Sequence, residues 1–244
     1  MTRRFQKTPP NIPQVRAAYN TTHGRSLLRD SDRFYRWAAT KVIRDLPTRG
    51  ASVLDVGCGG GFLLAALEQL EHARGARPGR KDLGSLDLHG LELSDVALEK
   101  ARKEAPTARL ILGQGEQLPY PDDRFHSVLC LGNLEHFLDP EAGARELARV
   151  TRPDGTVWIL LPNGFYSGAI WNVIRTGYGP NHHQIIDRFG TINEWRDFLE
   201  NNDLEVVETL PYNRFKWWKR LLPRNLAWHF LYRTRPKKET GPRE

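Results

Sequence analysis

The stretch VLDVGCGGG, Val53 to Gly61, constrains this chain more than any other. Its first half is an apolar run with β-branched residues, the pattern of a buried strand. Its glycines let the backbone turn tightly and approach a ligand without interference from Cβ atoms. A helical apolar pattern, Phe62 to Leu70, begins at once. Strand, glycine turn and helix N-terminus together predict a small-molecule site at the carboxyl end of a parallel sheet.

The flanking segments repeat the alternation. Asp32–Leu46 has two apolar faces of helical period, and Pro47 and Gly50 end it. Strands are expected at 86–94, 108–113 and 125–132, a fifth at Thr156–Asn163 after the turn Pro153-Asp154-Gly155, a sixth at 204–210 and a seventh at 225–233. Helices are expected after Ser94, over 140–150 and over 191–201, where Thr191 and Glu194 have capping-box spacing. Strands apolar on both faces, alternating with helices, describe a mostly parallel α/β sheet covered on two sides.

A chain of 244 residues suits one such domain with appendages. Residues 1–30 read as a basic N-terminal arm, loosely packed or a flap over the ligand. Residues 31–244 read as the main domain, with an acceptor-side insertion at 164–190 and a basic aromatic excursion at 211–224. Ala73–Ser85 reads as a long exposed loop. Two cysteines, Cys58 and Cys130, are too few for a disulfide framework or a zinc site. No apolar run approaches membrane-spanning length, so the chain reads as cytoplasmic. Nine of the 36 Lys and Arg, and none of the 29 Asp and Glu, fall between Pro211 and Lys238. The rest of the chain is slightly acidic, so the basicity is local and points to an anionic partner near the C-terminus, an anionic membrane surface among them.

A dinucleotide fingerprint needs a glycine where Phe62 stands, and no phosphate loop ending in Gly-Lys-Ser or Gly-Lys-Thr is present. A cofactor with one nucleoside and no phosphate fits better. Taken with Glu92 after the second strand, the loop Gly113–Pro119, the segment Leu131–His136 and the turn Arg152–Gly155, the chain resembles the class I S-adenosylmethionine-dependent methyltransferases, especially the quinone-biosynthesis and small-molecule group. The resemblance runs from about Val53 to Asn163. It implies a Rossmann-like seven-stranded sheet of order 3-2-1-4-5-7-6, with the seventh strand antiparallel and helices on both faces.

The same resemblance implies site residues. Asp55, Gly57 and Gly59 would lie beside the methionine part of S-adenosylmethionine, and Glu92 with Leu93 beside the ribose, since one carboxylate accepts from both hydroxyls. Gln114, Gly115 and Glu116 would meet the adenine; Gln114 replaces the usual aspartate. Leu131, Gly132 and His136 would flank the methionine part and the transferred methyl. His126 stands where the family carries aspartate. No metal is expected.

His136, His182 and His183 are the candidate proton acceptors, because imidazole titrates near neutral pH. Tyr19, Tyr166, His182 and His183 are the candidate acceptor contacts. The expected reaction is methyl transfer to a small or lipid-like metabolite, with an oxygen acceptor favoured and the protein cytoplasmic or peripheral at a membrane. An RNA or protein methyltransferase guided by the basic segment and a non-catalytic S-adenosylmethionine-binding scaffold stay open, nucleic acid being the less favoured partner.

Overall fold

The structure, a computed structural model, describes residues 10–24, 31–47, 50–75, 86–179, 184–213 and 222–237. The strands are β1 (Ser52–Val56), β2 (Asp87–Glu92), β3 (Arg109–Leu112), β4 (Phe125–Leu131), β5 (Thr151–Pro162), β6 (Leu204–Tyr212) and β7 (His229–Pro236). They form one sheet of order β3-β2-β1-β4-β5-β7-β6. β7 runs antiparallel to β5 and β6, and the other pairings are parallel. The Rossmann-like order implied by the resemblance is the order observed.

The helices are α1 (Ile12–Gly24), α2 (Asp32–Asp45), α3 (Phe62–Gly75), α4 (Asp95–Glu104), α5 (Pro140–Val150), α6 (Ser167–Thr176) and α7 (Ile192–Glu200). Their starts follow local chemistry. Ser94 Oγ accepts the Ala97 N–H at 3.1 Å to open α4, Asp139 opens α5 with Pro140 in its first turn, and Thr191 with Glu194 closes a capping box on α7. β1 is buried along its whole length. α2 and α3 cover one face of the sheet, where Leu64 and Leu67 pack with Leu129 and Leu160. On the other face Leu147 of α5 and Leu199 of α7 pack with Phe230 and Tyr232. Each such leucine contributes about 1.5–3 kcal/mol through burial.

Three elements depart from the sequence reading. Residues 12–24 are a helix where a loose arm was the expectation. Asn11 and Gln14 cap it reciprocally, each side chain taking the other's backbone N–H at 3.0 Å, and Pro13 sits in the first turn, where its missing N–H is no loss. The turn Pro153-Asp154-Gly155 is a bulge inside β5: Thr151 pairs with Phe125 and Thr156 with Ser127, leaving four residues looped out of the ladder. β7 starts four residues later than expected and runs through Arg233 and Arg235, whose charges pair with Asp45 (2.6 Å) and Glu205 (2.8 Å). Part of the basic C-terminal charge is therefore matched within the fold. Most of the 73–85 loop and the centre of the 211–224 excursion lie outside the described residues.

Candidate functional site

β1 and β4 are neighbours whose following connections leave the sheet in different directions, and the cavity opens beyond their carboxyl ends. It measures about 820 Å³. Asp55, Gly57 and Gly59 line it from β1 and the glycine turn, Glu92 and Leu93 from β2, and Gln114, Gly115 and Glu116 from the loop after β3. Leu131, Gly132 and His136 line it after β4, and Tyr19 and Tyr166 from α1 and the approach to α6. Every sequence-derived site residue that the structure describes borders this one space. His182 and His183 lie outside the described residues.

The glycine turn is held from two sides. Gly57 has φ +77°, and a Cβ there would sit 2.4 Å from Asn133 Cγ. That close approach lets the Asn133 amide donate to the carbonyls of Gly57 (3.2 Å) and Leu131 (3.1 Å), tying the ends of β1 and β4 together. On the other side Glu92 divides its oxygens: Oε2 accepts the Gly59 N–H at 2.9 Å and Oε1 the Ser94 N–H at 2.8 Å. Each carboxylate oxygen has a second lone pair, toward which a ligand hydroxyl could donate. Burial raises the Glu92 pKa against these stabilising bonds, and burial with the nearby Glu92 pushes Asp55 up to about 7. Both carboxylates are poised for a ligand that brings hydroxyl donors or positive charge.

Glu116 accepts the Leu138 N–H at 2.8 Å, which joins the loop after β3 to the loop after β4. His126, the departure at the start of β4, is remote from the cavity. Its Nδ1 accepts the Ser52 N–H at 3.1 Å, so it pins β4 to β1 at the opposite end of the sheet.

A second acidic group lines the cavity after β4. Glu135 and His136 lie in a single 3-10 turn, Leu134–His136, and both are buried. His136 Nδ1 lies 2.6 Å from the Ile186 carbonyl and 3.2 Å from Asp187 Oδ1. A carbonyl oxygen only accepts, so Nδ1 carries a hydrogen, while Nε2 lies 3.6 Å from Glu135 Oε1. Glu135 Oε2 is buried with no hydrogen-bond partner among the described residues, and burial raises the Glu135 pKa. Tyr19 faces the same region; burial raises its phenol pKa first, and the carboxylates of Glu135, Glu92, Asp187 and Glu116 raise it further.

Residues 54–159 match the family described as a methyltransferase domain. That match spans 106 of the 244 residues, and it is to this family that the segment is similar. Among curated proteins, the ubiquinone biosynthesis O-methyltransferase of Cupriavidus pinatubonensis is 31% identical over 166 residues, 65% of this chain and 62% of that protein. The demethylmenaquinone methyltransferase of Chlorobaculum tepidum is 31% identical over 133 residues, 54% of this chain and 50% of that protein. The chain thus spans between half and two thirds of these relatives. Magnesium protoporphyrin IX methyltransferase from Synechocystis PCC 6803, solved with bound SAH, shares the fold at a TM-score of 0.67 and 15% identity, covering 93% of this chain and 100% of that one. The 1,6-didemethyltoxoflavin-N1-methyltransferase of Burkholderia thailandensis, solved with its substrate and S-adenosylhomocysteine, shares it at 0.65 and 18%, covering 96% and 94%.

The site also uses residues that sequence reasoning missed. Asn133 carried no signal, since asparagine in a loop is ordinary until its amide is seen beside the carbonyls of Val56, Gly57 and Leu131. Arg188 donates to the carbonyls of Glu135 (3.2 Å), Phe137 (2.6 Å) and Leu138 (3.2 Å), clamping the segment that carries Asp187 onto the His136 turn. Arg188→Met keeps the stem and removes the donors. We expect it to lower stability by about 2 kcal/mol and to speed amide hydrogen exchange over 184–190 while β1 exchange is unchanged. Unaltered exchange in that segment would mean that the clamp is redundant.

Proposed function

We propose that the protein transfers a methyl group from S-adenosylmethionine to a hydroxyl of a small or lipid-like metabolite. The observation that carries this reading is one cavity with two ends: a glycine turn and Glu92 at one, and the buried Glu135, His136 and Asp187 at the other. The residues suit the cofactor. Glu92 retains two acceptor sites for the ribose hydroxyls, Asp55 with Gly57 and Gly59 would take the methionine part, and the Gln114 carbonyl would accept from the adenine amino group. Leu131, Gly132 and His136 would flank the sulfur, with Tyr19 and Tyr166 on the acceptor. The bound cofactor supplies an electrophilic methyl on a sulfonium. The protein's part is to align the hydroxyl with that methyl, exclude water and take the proton, which His136 Nε2 would accept. The names of the curated relatives, ubiquinone O-methylation and demethylmenaquinone methylation, support a quinone-like acceptor.

Calorimetry with S-adenosylmethionine and its demethylated product, followed by methyl release over a panel of hydroxylated aromatics, prenylated rings, RNA and protein, tests the reading. Turnover on a hydroxylated metabolite supports it, turnover on RNA or protein alone favours the large-acceptor alternative, and binding without turnover favours a scaffold. Failure to bind either cofactor form overturns all three.

Asp55 adds a pH signature. Its folded pKa of about 7 exceeds the ordinary 3.8, so between those values the folded state holds a proton that the unfolded chain has lost. Without ligand, stability should therefore fall as pH rises from about 4 to 7. A cofactor ammonium placed beside Asp55 reverses the preference and expels the proton. Calorimetry at pH 6.5 in buffers of different ionisation enthalpy should show net proton release, abolished in Asp55→Asn.

A peripheral membrane contact is favoured by α6. Ala169 is buried and Asn172 lines the cavity, while Trp171, Ile174 and Tyr178 stand 65%, 72% and 74% exposed. A cavity wall that is apolar outside suits an acceptor held in a lipid surface, and the 211–224 excursion carries Arg214, Lys216, Lys219, Arg220 and Arg224 in sequence. No described helix is long and apolar enough to cross a membrane. Sedimentation with phosphatidylglycerol vesicles should be lost in Trp171→Ser/Ile174→Ser; no sedimentation of the unaltered protein rejects the contact.

A further inference from the structure

Helix α1 reaches the cofactor end of the cavity from outside the sheet and is tied there at two points. Asn20 accepts from the Ser94 hydroxyl at 2.6 Å and donates from Nδ2 to Asp95 Oδ1 at 2.5 Å. One turn further on, the Lys100 ammonium donates to the His23 carbonyl at the end of α1. Between the two ties the His23 ring faces the glycine turn, 3.8 Å from where a Cβ on Gly59 would stand.

The Asn20 contact continues into the site. Ser94 gives its backbone N–H to Glu92 Oε1, and Glu92 Oε2 takes the Gly59 N–H. An unbroken chain of hydrogen bonds thus runs from α1 through Ser94 and Glu92 to the glycine turn. A hydroxyl has one proton, and Ser94 Oγ also accepts the Ala97 N–H that caps α4. Asn20 therefore fixes the direction of the only proton that this hydroxyl can give.

We propose that Asn20 is a positioning residue for the cofactor site, holding α1 over the Glu92 carboxylate so that a bound nucleoside leaves only when the Asn20 contacts open. This rests on the S-adenosylmethionine reading. It goes further by assigning cofactor residence to a residue that need not touch the cofactor. Losing two hydrogen bonds makes the contact worth about tenfold in affinity, and breaking it acts mainly on escape.

The test is surface plasmon resonance of S-adenosylhomocysteine on the full chain. Asn20→Ala should weaken binding about tenfold, mostly as faster dissociation. Asn20→Asp, which sets a second carboxylate against Asp95, should be at least as weak. Asn20→Asp combined with Asp95→Asn restores both hydrogen bonds, the new carboxylate accepting from Ser94 and from the new amide, and should return affinity to within about threefold of the unaltered protein. A side chain that only packs α1 on α4 would not follow this pattern. Unaltered dissociation in Asn20→Ala, or a double variant as weak as Asn20→Asp, overturns the proposal while the cofactor reading stands. Failure of the unaltered protein to bind overturns the cofactor reading and this inference with it.

Discussion

Glu92→Ala is expected to weaken S-adenosylhomocysteine binding by about 2–4 kcal/mol while changing the stability of the ligand-free protein far less. Two opposing effects produce the split. Removing the carboxylate leaves the Gly59 and Ser94 N–H groups without their acceptor, which destabilises the turn. It also removes a buried charge whose pKa is already raised by desolvation, which relieves the folded state. These partly cancel without ligand. They do not cancel in the complex, where the ribose hydroxyls lose both acceptors and the polar cavity end is left mismatched. Calorimetry and a thermal midpoint on the same sample read the two quantities separately. Affinity within about threefold of the unaltered protein would place the ribose elsewhere. A large fall in midpoint with little change in affinity would make Glu92 a brace for the glycine turn alone.

Much of this architecture is legible in the sequence because its signals are local. The β-branched run before Gly57, the Ser94 cap, Pro140 at a helix start and the Thr191–Glu194 box each determine an element from a few neighbouring residues, and the order of elements then restricts the sheet to few topologies. What the sequence hides is long-range. Arg188 looks like any surface arginine until the Glu135, Phe137 and Leu138 carbonyls turn toward it. Asp187, near the end of an irregular segment, gains meaning only where the chain returns to set it beside His136. α1 escaped notice for a different reason: Val15 and His23 are its only buried residues, so no apolar stripe marks it, and its position is set by polar contacts to α4. His126 errs in the other direction. A departure from the family pattern drew attention to a residue that the structure uses as a strand pin.

Gly61→Ala is expected to destabilise the protein well beyond Gly59→Ala in the same turn. Gly61 has φ +78°, a conformation that costs a residue with a Cβ about 1–2 kcal/mol. The new methyl would also lie 3.0, 3.1 and 3.2 Å from Ala101 Cα, Cβ and O. These atoms belong to the body of α4, so the overlap is relieved only by moving that helix. α4 begins at Ser94, whose N–H holds Glu92, and Gly61 itself accepts the Ala65 N–H at the start of α3. A shift of α4 therefore loosens the glycine turn and the Glu92 carboxylate together. Strain and overlap sum to about 3–4 kcal/mol, or about 10 °C in thermal midpoint for a chain of this size. Gly59→Ala supplies the internal control. It also has positive φ (+53°), but its Cβ would meet only His23, at 3.8 Å, so strain acts there without overlap and the loss should be about 1–2 kcal/mol. The difference between the two variants isolates the contact between the glycine turn and α4. If Gly61→Ala proved no more destabilising than Gly59→Ala, α4 would have to yield freely at Ala101, and the tight coupling of α1, α4 and Glu92 on which cofactor retention depends would be lost with it.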